Sequence, residues 1–138
     1  MTQSNEFTQQ AKENALWAMA WQTMEFQKFY EQYLNQVSPE VSLPVGFVDN
    51  VFVVMESDPK TGVMVKNYAK NAQYTGTFAV PVIAGAGIVI AALFLLGTHI
   101  KFYRNSDGKW EFLVEHTAAQ SEILEKIVEA LVRIMNSK

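Results

Sequence analysis

A run of about 20 residues without a charged side chain, residues 78–97, constrains the fold of this chain more than any other stretch. A helix needs about 20 apolar residues to cross the hydrocarbon core of a bilayer. We therefore predict a transmembrane helix here, a membrane location and contact with lipid. Small residues and a proline would let this helix pack closely in an oligomer; they are Pro81, Ala84, Gly85, Gly87 and Ala91.

A soluble fold is the alternative for the same run. Proline at position 81 and small residues at 85–87 can divide it into two apolar strands, 77–84 and 88–96, which would form a buried hairpin. Both strands would have to be buried on both faces, and a chain of 138 residues has few other residues to bury them. The membrane span is therefore the leading interpretation.

The residues before the run predict a long helix and then a β-hairpin. Helix-forming residues fill positions 8–37 without glycine or proline, and Pro39 ends the helix. Its aromatic face is expected to contact a core or a partner helix, or to lie at a membrane interface; the residues are Trp17, Trp21, Phe26 and Tyr30. Residues 47–55 and 63–68 are predicted to pair as strands around a turn at 57–62.

The residues after the run predict a second hairpin, with segments 98–104 and 109–116 flanking a turn. With Gly108 as a bulge residue, Asn105 faces Lys109, which fixes the register. The opposed pairs are then Ile100 with Val114, Phe102 with Phe112, and Arg104 with Trp110. In this register Arg104 can lie on the Trp110 ring.

An amphipathic helix is predicted to follow, from a capping box at residues 117–120 to about Met135. Its apolar stripe, expected to face a partner helix, includes Ile123, Ile127 and Leu131. The chain as a whole is expected to be α+β, with a helix and hairpin unit in residues 1–77, the apolar segment in 78–97 and a ββα unit in 98–138.

The sequence carries little that predicts chemistry. It has no cysteine and a net charge of −3 without a basic block, so thiolate zinc sites and nucleic-acid binding are not expected. In the predicted register His99 faces Glu115, and His116 lies one residue further along, near Thr98. Together they form a cluster that could respond to pH or hold a metal. No catalytic carboxylate pair, serine triad or phosphate-binding motif is present, so we expect a non-enzymatic protein without a cofactor.

The leading functional hypothesis is a small membrane-anchored assembly protein that binds itself as a homo-oligomer or binds a protein partner. The second is a soluble α+β binding or oligomerisation module in which the apolar segment is buried as a hairpin or at a subunit interface. A third is a membrane-perturbing effector. Fractionation of the expressed protein with and without detergent separates the first two.

Overall fold

The computed structural model describes residues 7–38, 41–75, 85–114 and 121–136. Within those ranges the chain has six α-helices and one antiparallel pair of strands, which confirms the α+β class and makes it mostly helical. A short 3₁₀ turn, Leu34–Gln36, follows the second helix. In chain order the elements are α1 (Gln9–Trp21), α2 (Met24–Tyr33), α3 (Phe47–Ser57), α4 (Gly62–Thr75), α5 (Gly85–Leu95), β1 (Ile100–Arg104), β2 (Trp110–Val114) and α6 (Ser121–Met135).

The prediction of one long N-terminal helix is wrong, because the chain breaks between α1 and α2. Thr23 has an extended backbone, and its Oγ1 accepts a hydrogen bond from the Phe26 N–H at 3.1 Å, so it caps the start of α2. Threonine is a favoured N-cap residue because its side chain satisfies a main-chain donor that the helix leaves open. The break allows Phe26 to pack edge to face against Trp17, with ring centroids 5.6 Å apart.

The first predicted hairpin is also wrong: both of its strands are helical, in α3 and α4. The apolar residues of α3 recur at helical spacing, and the buried ones include Val48, Val51, Phe52 and Met55. A strand would alternate these side chains between two faces, whereas a helix directs them to one side. Burial against neighbouring helices therefore outweighs the preference of valine and phenylalanine for strands.

The connection between α3 and α4 is the turn that the sequence predicts, although it joins helices. Asp58 Oδ1 accepts from the Lys60 N–H at 2.9 Å, and Thr61 Oγ1 donates to the Met55 carbonyl at 2.8 Å. Gly62 is needed for close approach, since a Cβ there would lie 2.6 Å from the Glu56 carbonyl oxygen.

The predicted transmembrane helix is not supported. No helix in the described part of the chain is long and apolar enough to cross a membrane. The described portion of the apolar run forms α5, which has 11 residues and a length of about 16 Å, roughly half the thickness of the hydrocarbon core. The alternative strand at 88–96 is wrong as well, because α5 covers most of it. The other strand of that alternative, 77–84, lies outside the described ranges.

Helix α5 is buried in the core. Ile88, Val89 and Ile90 are at most 1% exposed, and α5 contacts both α1 and α2. A helix that is apolar on all sides must be covered on all sides, and α1 and α2 supply part of that cover. The three segments distinguished in the sequence, 1–77, 78–97 and 98–138, are therefore in contact: α1 contacts α5, and α3 contacts α6.

The second hairpin and its register are confirmed. Ile100 lies opposite Val114, Phe102 opposite Phe112, and Arg104 opposite Trp110. The turn has Gly108 at φ 76°, a left-handed conformation that suits glycine, and Asn105 N–H donates to the Lys109 carbonyl at 2.9 Å. The Arg104 guanidinium lies 5.0 Å from the centre of the Trp110 ring, as predicted.

The C-terminal helix is present as α6, and the capping box proposed at 117–120 falls outside the described residues. Its apolar side packs on β2 and α3, and it buries Leu124, Ile127, Leu131, Ile134 and Met135. The hairpin and α6 thus form a joined unit that rests on the helical core.

Candidate interaction site

The aromatic residues singled out in the sequence are brought together between α1 and α2. Trp17 and Trp21 stack with centroids 5.2 Å apart, and Tyr30 contacts Trp17 edge to face at 5.4 Å. Phe26 is fully buried, while Trp21 keeps 37% of its surface exposed. This face therefore finds most of its apolar contacts within the chain.

The small residues of the apolar run also serve contacts inside the chain where they are described. A Cβ on Gly85 would lie 2.6 Å from the Val41 carbonyl oxygen, so the start of α5 packs directly against the main chain of the connection between the 3₁₀ turn and α3. Gly87 and Ala91 are buried in the same helix. Pro81 and Ala84 lie outside the described residues.

The predicted partner face of α6 is turned toward the core. Ile127 and Leu131 have no exposed surface, and Ile123 is half-buried against the same cluster. Contacts with α3 and β2 cover this side of the helix.

The histidine cluster is described only at His99, since Glu115 and His116 lie outside the described ranges. His99 Nε2 lies 3.6 Å from Asp58 Oδ2, which gives an ion pair when the imidazole is protonated. Sequence reasoning treated Asp58 as a turn residue and missed this contact. In the described part of the chain, no group of three histidine or acidic side chains could hold a metal ion.

The hairpin has two outer edges, and its register shows which main-chain groups face each edge. Asn105 and Lys109 form the hydrogen-bonded pair that closes the turn, and such pairs alternate with pairs whose N–H and C=O groups point outward. The outward groups of β1 therefore belong to Ile100, Phe102 and Arg104. The outward main-chain groups of β2 belong to the residues that are paired with these three.

The edge of β2 is capped where it begins. The Trp110 N–H donates to Asn136 Oδ1 at 2.8 Å, and Asn136 Nδ2 donates to the Trp110 carbonyl at 3.0 Å. One side-chain amide therefore takes the place of a neighbouring strand. At Trp110, therefore, the chain itself occupies this edge, and α6 also contacts β2.

Within the described part of the chain, the edge of β1 is open over most of its length. The Ile100 N–H donates to the Leu96 carbonyl at 2.8 Å, which satisfies the first outward donor. Among the described residues, no hydrogen bond reaches the outward N–H and C=O groups of Phe102 and Arg104. A groove of about 470 Å³ runs beside this edge, and it is lined by Gly97, Thr98, Ile100, Lys101 and Phe102.

The outer face of the hairpin carries a polar network beside two exposed apolar side chains. Tyr103 Oη donates to Glu111 Oε1 at 2.7 Å, and Asn105 Nδ2 donates to Glu111 Oε2 at 2.6 Å. The bonds from Asn105 and then Tyr103 lower the pKa of Glu111, and the bond to Glu111 raises the pKa of Tyr103. Tyr103 is 40% exposed, and Leu113 on the same face is 54% exposed.

Comparisons with known proteins provide no guide to this surface: no family model, no curated protein and no solved structure matches the chain. The site is therefore defined by its geometry alone. It consists of the outward main-chain groups of Phe102 and Arg104, the groove beside them, and the outer face at Lys101 and Tyr103.

Sequence reasoning missed this edge although it placed the hairpin correctly. The register already shows which residues point their main-chain groups outward. It does not show that Asn136, 26 residues after Trp110, covers β2 while β1 stays open. An asparagine just beyond the last buried residues of the amphipathic helix was the available signal, and such a residue is more often a simple helix cap.

Proposed function

We propose that the protein is a non-enzymatic α+β binding or oligomerisation module that takes up an additional β-strand along the open edge of β1. The observation that supports this is the difference between the two edges of one hairpin. Asn136 occupies the outward groups of Trp110, and α6 contacts β2. No hydrogen bond from the described residues reaches the outward groups of Phe102 and Arg104, and a groove lies beside Phe102. An exposed strand edge is a template for pairing with another chain.

Main-chain hydrogen bonds supply affinity in strand addition, and alternate side chains supply specificity. A strand added beside β1 would bring every second side chain onto the outer face, next to Lys101 and Tyr103, which are both exposed. Its other side chains would lie over the inner face near Phe102. The preferred partner strand therefore carries aromatic or acidic residues at the outer positions.

A pair of substitutions at Arg104 tests the proposal. Arg104→Pro removes the outward N–H, and proline is tolerated at the edge of a sheet. Arg104→Ala is the matched control, because it loses the same side-chain contacts with Trp110 and Gln36 but keeps the N–H. Extended ten-residue peptides selected by display against the wild-type chain serve as the probe.

We expect the selected peptides to bind the alanine variant and to lose at least about tenfold in affinity for the proline variant. Hydrogen exchange should show new protection of the Phe102 amide when a peptide is bound. Equal binding to both variants, or no protection at β1, would show that peptides do not use this edge and would overturn the proposal.

A further inference from the structure

The open groups of β1 are spaced so that the strand complements itself. Phe102 and Arg104 each present one N–H and one C=O outward. We infer that the added strand is β1 of a second copy of this chain, antiparallel, with Phe102 opposite the second copy's Arg104; this inference rests on the function proposed above. Each copy contributes two donors and two acceptors, so the pairing uses every outward group of these two residues.

This register places Tyr103 on the two-fold axis, opposite Tyr103 of the second copy. The tyrosine main-chain groups point toward β2, so the two tyrosines form a non-hydrogen-bonded pair, in which side chains approach most closely. The side chain of Tyr103 is 40% exposed on the outer face. Pairing of two aromatic side chains there removes apolar surface from water and favours this register.

Charge is complementary in the same arrangement. Lys101 falls opposite Asn105 of the second copy, whose side chain holds the Glu111 carboxylate at 2.6 Å. Each copy therefore brings an exposed ammonium to the exposed carboxylate network of the other. No like charges lie directly opposite one another across the axis, since Arg104 pairs with Phe102.

The groove beside β1 fits the chain that this pairing brings to it. In an antiparallel copy, the residues after Arg104 run past Lys101 toward Ile100. Ile100 and Lys101 line the groove of about 470 Å³, together with Gly97 and Thr98. The second copy's turn residues, beginning with Asn105, therefore occupy it.

The contact is small, so the dimer is expected to be weak. It combines four main-chain hydrogen bonds with one aromatic pair and two charged pairs, well below the surface of a standard stable interface. We expect a monomer at about micromolar and a dimer at about millimolar concentration, measured by sedimentation of the full chain.

Cysteine cross-linking tests the register, because the chain contains no cysteine of its own. Cβ atoms of a non-hydrogen-bonded pair lie close to the distance that a disulfide requires. Tyr103→Cys should therefore form a covalent dimer under mild oxidation. The matched control is Leu113→Cys, which is exposed on the same face but one strand from the axis, and we expect it to cross-link at least about tenfold more slowly.

Charge reversal provides a second, independent test. Lys101→Glu and Glu111→Lys should each weaken self-association about tenfold, because in a homodimer of either variant positions 101 and 111 carry the same charge at both symmetry-related contacts. An equimolar mixture restores both opposite-charge pairs, so it should associate more strongly than either variant alone. A mixture that associates no better than its parents would contradict the arrangement.

The outcomes separate this inference from the proposed function. If the wild-type chain stays monomeric at millimolar concentration, or both cysteine variants cross-link at the same rate, the second copy is not the partner strand. The proposed function would still stand if displayed peptides distinguish Arg104→Ala from Arg104→Pro. If the peptides also fail to distinguish those two variants, the proposed function is overturned together with the self-pairing inference.

Discussion

The amide of Asn136 gives the sharpest test of how this hairpin is held in the fold. It makes two hydrogen bonds with the main chain of Trp110, as donor at 3.0 Å and as acceptor at 2.8 Å. Asn136→Ala removes both bonds without touching the inner face of the sheet. It also uncovers the first pair of outward groups on β2, which then resembles the open edge of β1.

The expected loss of stability follows from the two bonds. A hydrogen bond contributes a net amount of about 1 kcal/mol to stability, so two give about 2 kcal/mol. For a chain of 138 residues, that corresponds to a fall in the melting temperature of about 6 °C. Trp110 is 7% exposed, so its main-chain groups gain only partial access to water after the change.

Urea unfolding followed by circular dichroism measures the loss, and hydrogen exchange measures the Trp110 amide directly. We expect that amide to exchange faster in Asn136→Ala, while the Tyr103 amide, which pairs with β2, changes little. Asn67→Ala is the control, because Asn67 is an exposed residue of α4, and it should not lower stability. If the Asn136 variant were as stable as the wild type and its Trp110 amide equally protected, the capping argument would be refuted.

Two further predictions concern the core and the outer face. Ile90→Ala should cost about 3 kcal/mol in urea unfolding, since Ile90 is fully buried in α5, whereas Val63→Ala at a 71% exposed position should cost little. The network on the outer face should be intact at neutral pH and weaken at both extremes. Because the pKa of Glu111 is lowered in the folded chain, its contribution to the free energy of unfolding is lost as pH falls through the folded-state pKa. Because the pKa of Tyr103 is raised, its contribution is lost as pH rises through the folded-state pKa. NMR titration measures both, and Asn105→Ala should return the Glu111 pKa toward its ordinary value.

The second hairpin was predictable because its information is local. Asn105 and Gly108 fix the turn within a few residues, and the register then follows from the pairing rule. Alternation of apolar and polar residues in β1 and β2 agrees with that register. Where turn chemistry and side-chain pattern point to the same pairing, a sequence determines local structure well.

The helices α3 and α4 were missed because local preference and tertiary burial disagree. Valine and phenylalanine in 47–55 favour a strand by propensity, and the turn at 57–62 suits a hairpin as well as a helical connection. The buried residues Val48, Val51 and Phe52 fit a helical face, and contact with α1, α4 and α6 makes that face stable. A single sequence does not show which other helices bury this face.

The apolar run was misread for a related reason. Length and composition cannot distinguish a helix covered by lipid from one covered by other helices, because both are apolar on all sides. A membrane span and a buried hairpin are the two interpretations given above for residues 78–97, and neither is a short buried helix. The predicted N-terminal helix could have supplied that cover, because α1 and α2, which occupy the same stretch, contact α5.

Among the described residues the sheet has two strands, and this explains why the candidate site lies at the edge of β1. Two strands are marginal by themselves, so the hairpin needs an inner face and a covered edge to remain folded. Phe102 and Trp110 supply the inner face by packing against Tyr33 of α2, and Asn136 with α6 covers β2. The remaining edge has no proline and is flanked by Lys101 and Arg104, charges that oppose pairing with strands in general. A strand that presents acidic or aromatic groups to those charges meets no such opposition, and the outer face of the same hairpin, with Glu111 and Tyr103, is a surface of that kind.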